Sequence, residues 1–185
     1  RPFRVAMIPT SNGGVNYTRL ASWAFEMRNY RNVEVAVFAF QYNLIPTHPW
    51  QKDIISIPQV REDIECYARA CDAMVWQPVF YDHTLNFFNK IRQKYGKPTF
   101  IETDDNYVDV PPWNEAHRGF SPISMHRYYA TEAMAWSDGM FVSTPHLKEL
   151  YSKQNENIHV IENSLDFKGD RQFVGWDQVS VRKHK

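Results

Sequence analysis

Glu102, Asp104 and Asp105 put three carboxylates into the short run Glu102-Thr103-Asp104-Asp105-Asn106, directly after the apolar stretch Thr99-Phe100-Ile101. Side chains alternate along an extended chain, so Glu102 and Asp104 are expected on one side and Asp105 on the other. Paired carboxylates at a strand end are suited to gripping a sugar hydroxyl, to taking up its proton, or to holding a hard cation through oxygen. The same Asp-Asp-Asn run is also good turn chemistry, in which one Asp caps the turn and the other stays solvated.

Three other loops carry groups of interest. Asn12-Gly13-Gly14-Val15-Asn16 follows an apolar run, and its glycines allow a ligand to approach the main chain, with the amides of the next helix as anion donors. A tight strand-to-helix turn needs the same glycines with no ligand. Gln77-Pro78 and Ser143-Thr144 likewise follow short apolar runs. The Gly13-Gly14 loop lacks the third glycine of a dinucleotide fingerprint, and the second apolar run passes into Gln41 rather than an acidic residue. Neither a Walker-type phosphate loop nor a G-x-S-x-G nucleophile elbow occurs. Trp113 beside His117 is suited to stacking on a sugar or to packing its own Pro-rich loop.

The elements that would position these loops alternate. Phe3 to Ile8 reads as a strand ended by Pro9, and Leu20, Trp23, Ala24 and Met27 then fall on one helix face. Val33 to Phe40 suits a buried strand, with a weaker one at Ile54 to Ile57. Val60, Ile64, Tyr67, Ala68 and Cys71 repeat at helical spacing before a strand at Ala73 to Trp76. Leu85, Phe88, Ile91 and Tyr95 mark a helix stopped at Gly96, with Pro98 just beyond. A strand from Thr99, a helix near Ile123 to Trp136 and a strand at Met140 to Val142 follow. Thr144 as N-cap and Pro145 at the first position open a helix with Leu147, Leu150 and Tyr151 on one face, before a strand at Ile158 to Ile161.

Continuous apolar strands alternating with helices predict an α/β, Rossmann-like, doubly wound and mainly parallel sheet. Its ligands would lie outside the carboxyl ends of the strands, where all four loops fall. With 185 residues the chain supports one core, over residues 1–167, and a polar tail or start of a linker at 168–185.

Charge balances at 21 basic and 21 acidic residues, which gives no sign of a nucleic-acid or anionic-membrane partner. No run approaches the roughly 20 apolar residues of a membrane span, no secretory signal pattern stands at the N-terminus, and a cytoplasmic setting is expected. Cys66 and Cys71, five apart, diverge around a helix and are expected as reduced core thiols. The seven histidines show no zinc spacing, so no metal site is expected.

Taken in order, Gly13-Gly14-Val15-Asn16-Tyr17 with Arg19-Leu20, Cys71 to Gln77, Tyr95-Gly96-Lys97-Pro98, Glu102 with Asp104-Asp105, Ser137 to Thr144 with Leu147, and Val160 to Asp166 form a pattern over residues 3–167. That order resembles the N-terminal domain of GT-B glycosyltransferases, particularly the retaining family 4 group. The resemblance implies one half of a two-domain enzyme that moves a sugar from a nucleotide-sugar donor to a sugar or other hydroxyl acceptor. This half would hold the acceptor, and a C-terminal domain the donor, so the 185-residue chain alone is expected to be inactive. By the same resemblance Gly13 and Gly14 approach the reacting sugar or its phosphate, helped by Asn16, Gln77, Glu102 and Thr144, and Asp104 or Asp105 contacts the acceptor hydroxyl as the catalytic group. Family members often carry a His where this chain has Thr103-Asp104-Asp105, which makes Asp104 its natural substitute. No metal or other cofactor is implied, since helix dipoles and basic side chains stabilise the departing diphosphate. A non-catalytic Rossmann-like binding module and a GT-B-shaped nucleotide-sugar epimerase are the alternatives.

Overall fold

A computed structural model of the chain describes residues 1–9, 19–20, 22–27, 29–37 and 58–163. The loop holding Gly13, Gly14 and Asn16, the expected strand at 54–57 and the polar tail beyond 163 lie outside them.

Strands β1 (Phe3–Ile8), β2 (Val33–Val37), β3 (Ala73–Trp76), β4 (Thr99–Thr103), β5 (Gly139–Val142) and β6 (Ile158–Val160) alternate with helices α1 (Ser22–Met27), α2 (Pro58–Ala70), α3 (Asp82–Tyr95), α4 (His117–Phe120), α5 (Met125–Trp136) and α6 (Pro145–Tyr151). The strands form one sheet in the order β2-β1-β3-β4-β5-β6, and each neighbouring pair is parallel. The chain steps from β1 to β2 in one direction and then returns past β1 to β3. The topological switch point therefore lies between β1 and β3. The Gln77 amide bridges it, donating to Ile8 O at 3.0 Å.

Alternation along the strands divides the core between two faces. Ala6, Ile8, Met74, Trp76, Ile101, Met140 and Val142 pack with side chains of α2, α3, α5 and α6 on one face. Met7 and Val75 pack with Leu20 and Ala24 on the other, joined by Val5, Val35, Trp23 and Phe141. Right-handed crossovers require this division, because the single step from β1 to β2 runs opposite to all later ones and carries its helix to the opposite face. Glu102 lies one residue from Ile101 and so belongs to the face covered by α1.

Local sequence sets the helix limits. α3 buries Leu85, Phe87, Phe88 and Ile91, each contributing about 1.5–3 kcal/mol. It ends at Gly96, whose φ of 57° is left-handed and whose amide returns to Arg92 O. α5 starts two residues later than the periodicity predicts, because Ser124 caps it by accepting from the His126 amide at 3.2 Å.

The two cysteines divide. Cys71 is buried, whereas Cys66 is exposed, against the expectation of two core thiols. Cys66 sits two positions from Ile64, off the Val60, Ile64, Ala68 stripe that α2 turns inward. Tyr67, expected on the inward face, is also exposed. Among the described residues no helix is long and apolar enough to cross a membrane, and no group of three or more His, Cys, Asp or Glu is disposed to hold a metal ion.

Candidate functional site at the carboxyl edge of the sheet

Glu102 lies in the last part of β4 and is fully buried. A carboxylate there needs a partner, and α1's side of the sheet supplies one. Arg19, also fully buried, donates through Nε to Glu102 Oε1 at 2.6 Å. Arg19 Nη1 donates to Ile161 O at 2.8 Å and to Asn163 Oδ1 at 2.9 Å, just beyond β6. The guanidinium carbon stands 4.6 Å from the centroid of the Trp23 ring. Its Nη2 is buried and meets no hydrogen-bond partner among the described residues. Gln77, after β3, donates through Nε2 to Glu102 Oε2 at 3.4 Å. One arginine thus ties the residues after β1 to the ends of β4 and β6.

Beyond β4 the chain enters the acidic turn. Asp104 is half-buried and Asp105 exposed. Burial raises the Asp104 carboxyl above its ordinary value, the Asp105 charge adds to this, and Arg19 opposes it. Burial also pushes Glu102 up to about 7 against the attraction of Arg19, with Asp104 raising it further. Glu102, Asp104, Asp105 and Arg19 are therefore electrostatically coupled. The Asp105 Oδ2 also accepts from the Tyr107 hydroxyl at 3.3 Å. The Asp105 amide donates to Thr103 Oγ1 at 3.3 Å. Asn106 Oδ1 accepts from the amides of Val108 at 3.0 Å and Asp109 at 2.8 Å. Tyr151 OH donates to Asp105 O at 2.6 Å and accepts from the Tyr107 amide at 2.9 Å.

The expected site residues thus separate by surroundings. Gln77, Glu102 and Asp104 come together at one edge, while Asp105 is part of the same turn but faces Tyr107. Thr144, at the end of β5, caps α6, with its Oγ1 accepting from the Leu147 amide at 3.1 Å. Gly13, Gly14 and Asn16 are outside the described residues. Trp113 is 85% exposed, while His117 Nδ1 is within 2.6 Å of Val110 O, so the histidine is turned into its own loop.

Arg19 is the residue that reading the loops overlooks. Its signal was present in the sequence, since it precedes Leu20 and stands four positions before Trp23, on the flank of the apolar stripe of the first helix. A charge in that place must find a buried partner or leave the face.

The edge holds a buried ion pair, a half-buried carboxyl beside it, and an exposed carboxylate at the rim. Such an arrangement can accept hydrogen bonds from hydroxyl groups and take up a proton at Asp104.

No family model matches the sequence, and no curated protein matches it. Among solved structures, a response regulator receiver domain protein from Bacillus halodurans is similar at 14% identity and a TM-score of 0.32, over 62% of this chain and 80% of that one. A conserved protein from Enterococcus faecalis is similar at 11% identity and a TM-score of 0.39, over 87% of this chain and 92% of that one. Phytolacca americana UGT2, solved with UDP-2fluoro-glucose and pterostilbene, is similar at 10% identity and a TM-score of 0.49. That likeness covers 88% of this chain, which spans 54% of the plant protein. These likenesses carry no argument about what the chain does; the α/β, Rossmann-like class rests on its own parallel sheet with helices on both faces.

Proposed function

We propose that this chain is the acceptor-side domain of a GT-B glycosyltransferase of the family 4 kind, working in the cytoplasm with a C-terminal donor-binding domain, and that Asp104 and Asp105 engage the acceptor hydroxyl. The observation that carries this reading is the meeting of Gln77, Glu102, Arg19 and Asp104 at the carboxyl edge of a parallel sheet. Loops diverge there, and a ligand entering meets acceptors for its hydroxyl protons.

The chemistry follows from the surroundings of each acid. Glu102 is fully buried, held by Arg19 and Gln77, and fixes the charge behind the edge. Asp104 is partly desolvated, which raises its basicity toward the range useful for accepting a proton from a hydroxyl nucleophile. Asp105, at the rim, supplies a second charged acceptor that holds the sugar in register. Gly13 and Gly14, with Asn16, would bring the main chain close to the donor sugar or its phosphate, and Thr144 would line the far side of the crevice. The motif order over residues 3–167 supports the same reading.

The test is acceptor-dependent turnover by the complete protein, supplied with UDP-glucose or GDP-mannose and a panel of hydroxyl compounds, with products followed by mass spectrometry. Release of nucleoside diphosphate matched by a glycosylated product is the expected result. Sugar isomerisation without any acceptor would replace the reading with an epimerase, and no turnover with any donor would replace it with a binding module.

A further inference from the structure

Tyr151 ends α6 and is fully buried in the core on the face opposite Arg19. A phenylalanine would fill that space equally well, yet the hydroxyl is engaged both as donor and as acceptor. It donates to Asp105 O at 2.6 Å and accepts from the Tyr107 amide at 2.9 Å, the one proton and one of the lone pairs that a phenol has to offer. Burial pushes the Tyr151 phenol well up, so it stays protonated and able to donate at neutral pH. Among the described residues, the other hydrogen bonds of the turn are local. Thr103 takes the Asp105 amide, and Asn106 takes the amides of Val108 and Asp109. Those bonds fold the turn on itself without fixing where it stands. Tyr151 ties it to the β5–α6 unit, 46 and 44 residues away in sequence.

We propose that Tyr151 is the positioning residue of the acidic turn: its hydroxyl grips the backbone on both sides of Asn106 and so sets the aim of the Asp104 and Asp105 carboxylates. The inference deepens the reading of this turn as the acceptor site and takes its functional meaning from it. Tyr151 touches no substrate; it acts through the main chain of residues 105–107.

Among the described residues, the charged and titratable groups acting on Asp104 and Asp105 are Arg19, Glu102, Tyr107 and Tyr151, together with each other. Tyr151→Phe removes only the Tyr151 phenol, which is uncharged at neutral pH, and keeps the ring. Carboxyl and amide NMR of the 185-residue chain then tests the assignment. In the parent, the Tyr107 amide should exchange at least about tenfold more slowly than its intrinsic rate. In Tyr151→Phe that protection should be lost, and the Asp104 midpoint should fall toward that of an ordinary aspartate as water enters the turn, with far-UV circular dichroism unchanged. An unprotected Tyr107 amide in the parent overturns the proposal without any variant, and so does an Asp104 midpoint unmoved in Tyr151→Phe. Both readouts concern the turn itself. They should come out as stated even if the transfer assay fails, and unchanged readouts overturn the role of Tyr151 even if that assay succeeds.

Discussion

Arg19 and Glu102 lie 83 residues apart in sequence and meet at 2.6 Å with both side chains fully buried. The two can be removed with unequal consequences. Arginine keeps its charge at every accessible pH, whereas Glu102 is raised to about 7, so Glu102→Gln keeps the neutral, hydrogen-bonding shape that the residue already takes at lower pH. Arg19→Met leaves a carboxyl that can escape by taking up a proton. Urea unfolding should therefore show Glu102→Gln little changed at pH 5, where Glu102 is itself protonated, and Arg19→Met weakened at pH 7.5 with marked recovery at pH 5. Equal losses for the two variants at both pH values would show that the pair is not the buried unit described here.

The parent protein should show two opposite pH effects. Glu102 is raised from 4.5 to about 7, so the folded state binds its proton more tightly than the unfolded state does. The resulting stability is full below about pH 4.5 and is lost as pH rises through 7. Glu65 is lowered from 4.5 to about 2, chiefly by hydrogen bonds from Lys94 and Lys90. Its contribution is present above about pH 4.5 and disappears as pH falls toward 2, reduced by solvent screening at the surface. Glu102→Gln should abolish the upper slope and Glu65→Gln the lower one, read from urea midpoints against pH.

Thr144 was expected to line the substrate crevice, and its Oγ1 is committed to the Leu147 amide. Thr144→Ala should lose about 1 kcal/mol of stability, and Thr144→Ser should restore it. If Thr144 also holds substrate, Thr144→Ala raises the acceptor KM beyond what the stability loss explains; an unchanged KM would restrict Thr144 to the cap.

Gly139 opens β5 against the residue that precedes β6. A Cβ placed there would come within 2.6 Å of Asn157 Nδ2 and 2.9 Å of Asn157 O. That carbonyl also accepts from the Met140 amide at 2.9 Å, so it cannot retreat without loosening the β5–β6 ladder. Gly139→Ala should cost about 1–3 kcal/mol. A melting temperature equal to the parent's would show that the two segments are not in this contact.

Sequence alone carried the regular part of the fold, because each strand is a short apolar run and each longer helix has its own punctuation, as at Gly96 and at Thr144-Pro145. The order β2-β1-β3-β4-β5-β6 is a property of which edges meet, and a single sequence holds no sign of it. α4, at His117–Phe120, is too short to show a period. Within the site, Glu102, Asp104 and Asp105 were visible as a cluster of charge at a strand end. The partners that define them were not, since Arg19 and Tyr151 reach the turn across 83 and 46 residues. Local pattern identifies the carboxylates and says nothing of what holds them.

The most direct test of the site is binding of hydroxyl groups at the carboxyl edge, read by amide NMR of the 185-residue chain titrated with methyl glucoside, methyl mannoside and methyl galactoside, with and without EDTA. The account predicts saturable shifts at Gln77, Asp104, Asp105 and Asn106 for at least one glycoside, unaffected by the chelator. Asp104→Asn keeps the shape and removes a charge-assisted hydrogen bond, a loss of roughly 1.5–3 kcal/mol, or about tenfold to hundredfold in affinity. Shifts absent from that edge for every glycoside, or undiminished affinity in Asp104→Asn, would contradict the assignment of the acidic turn as the acceptor site.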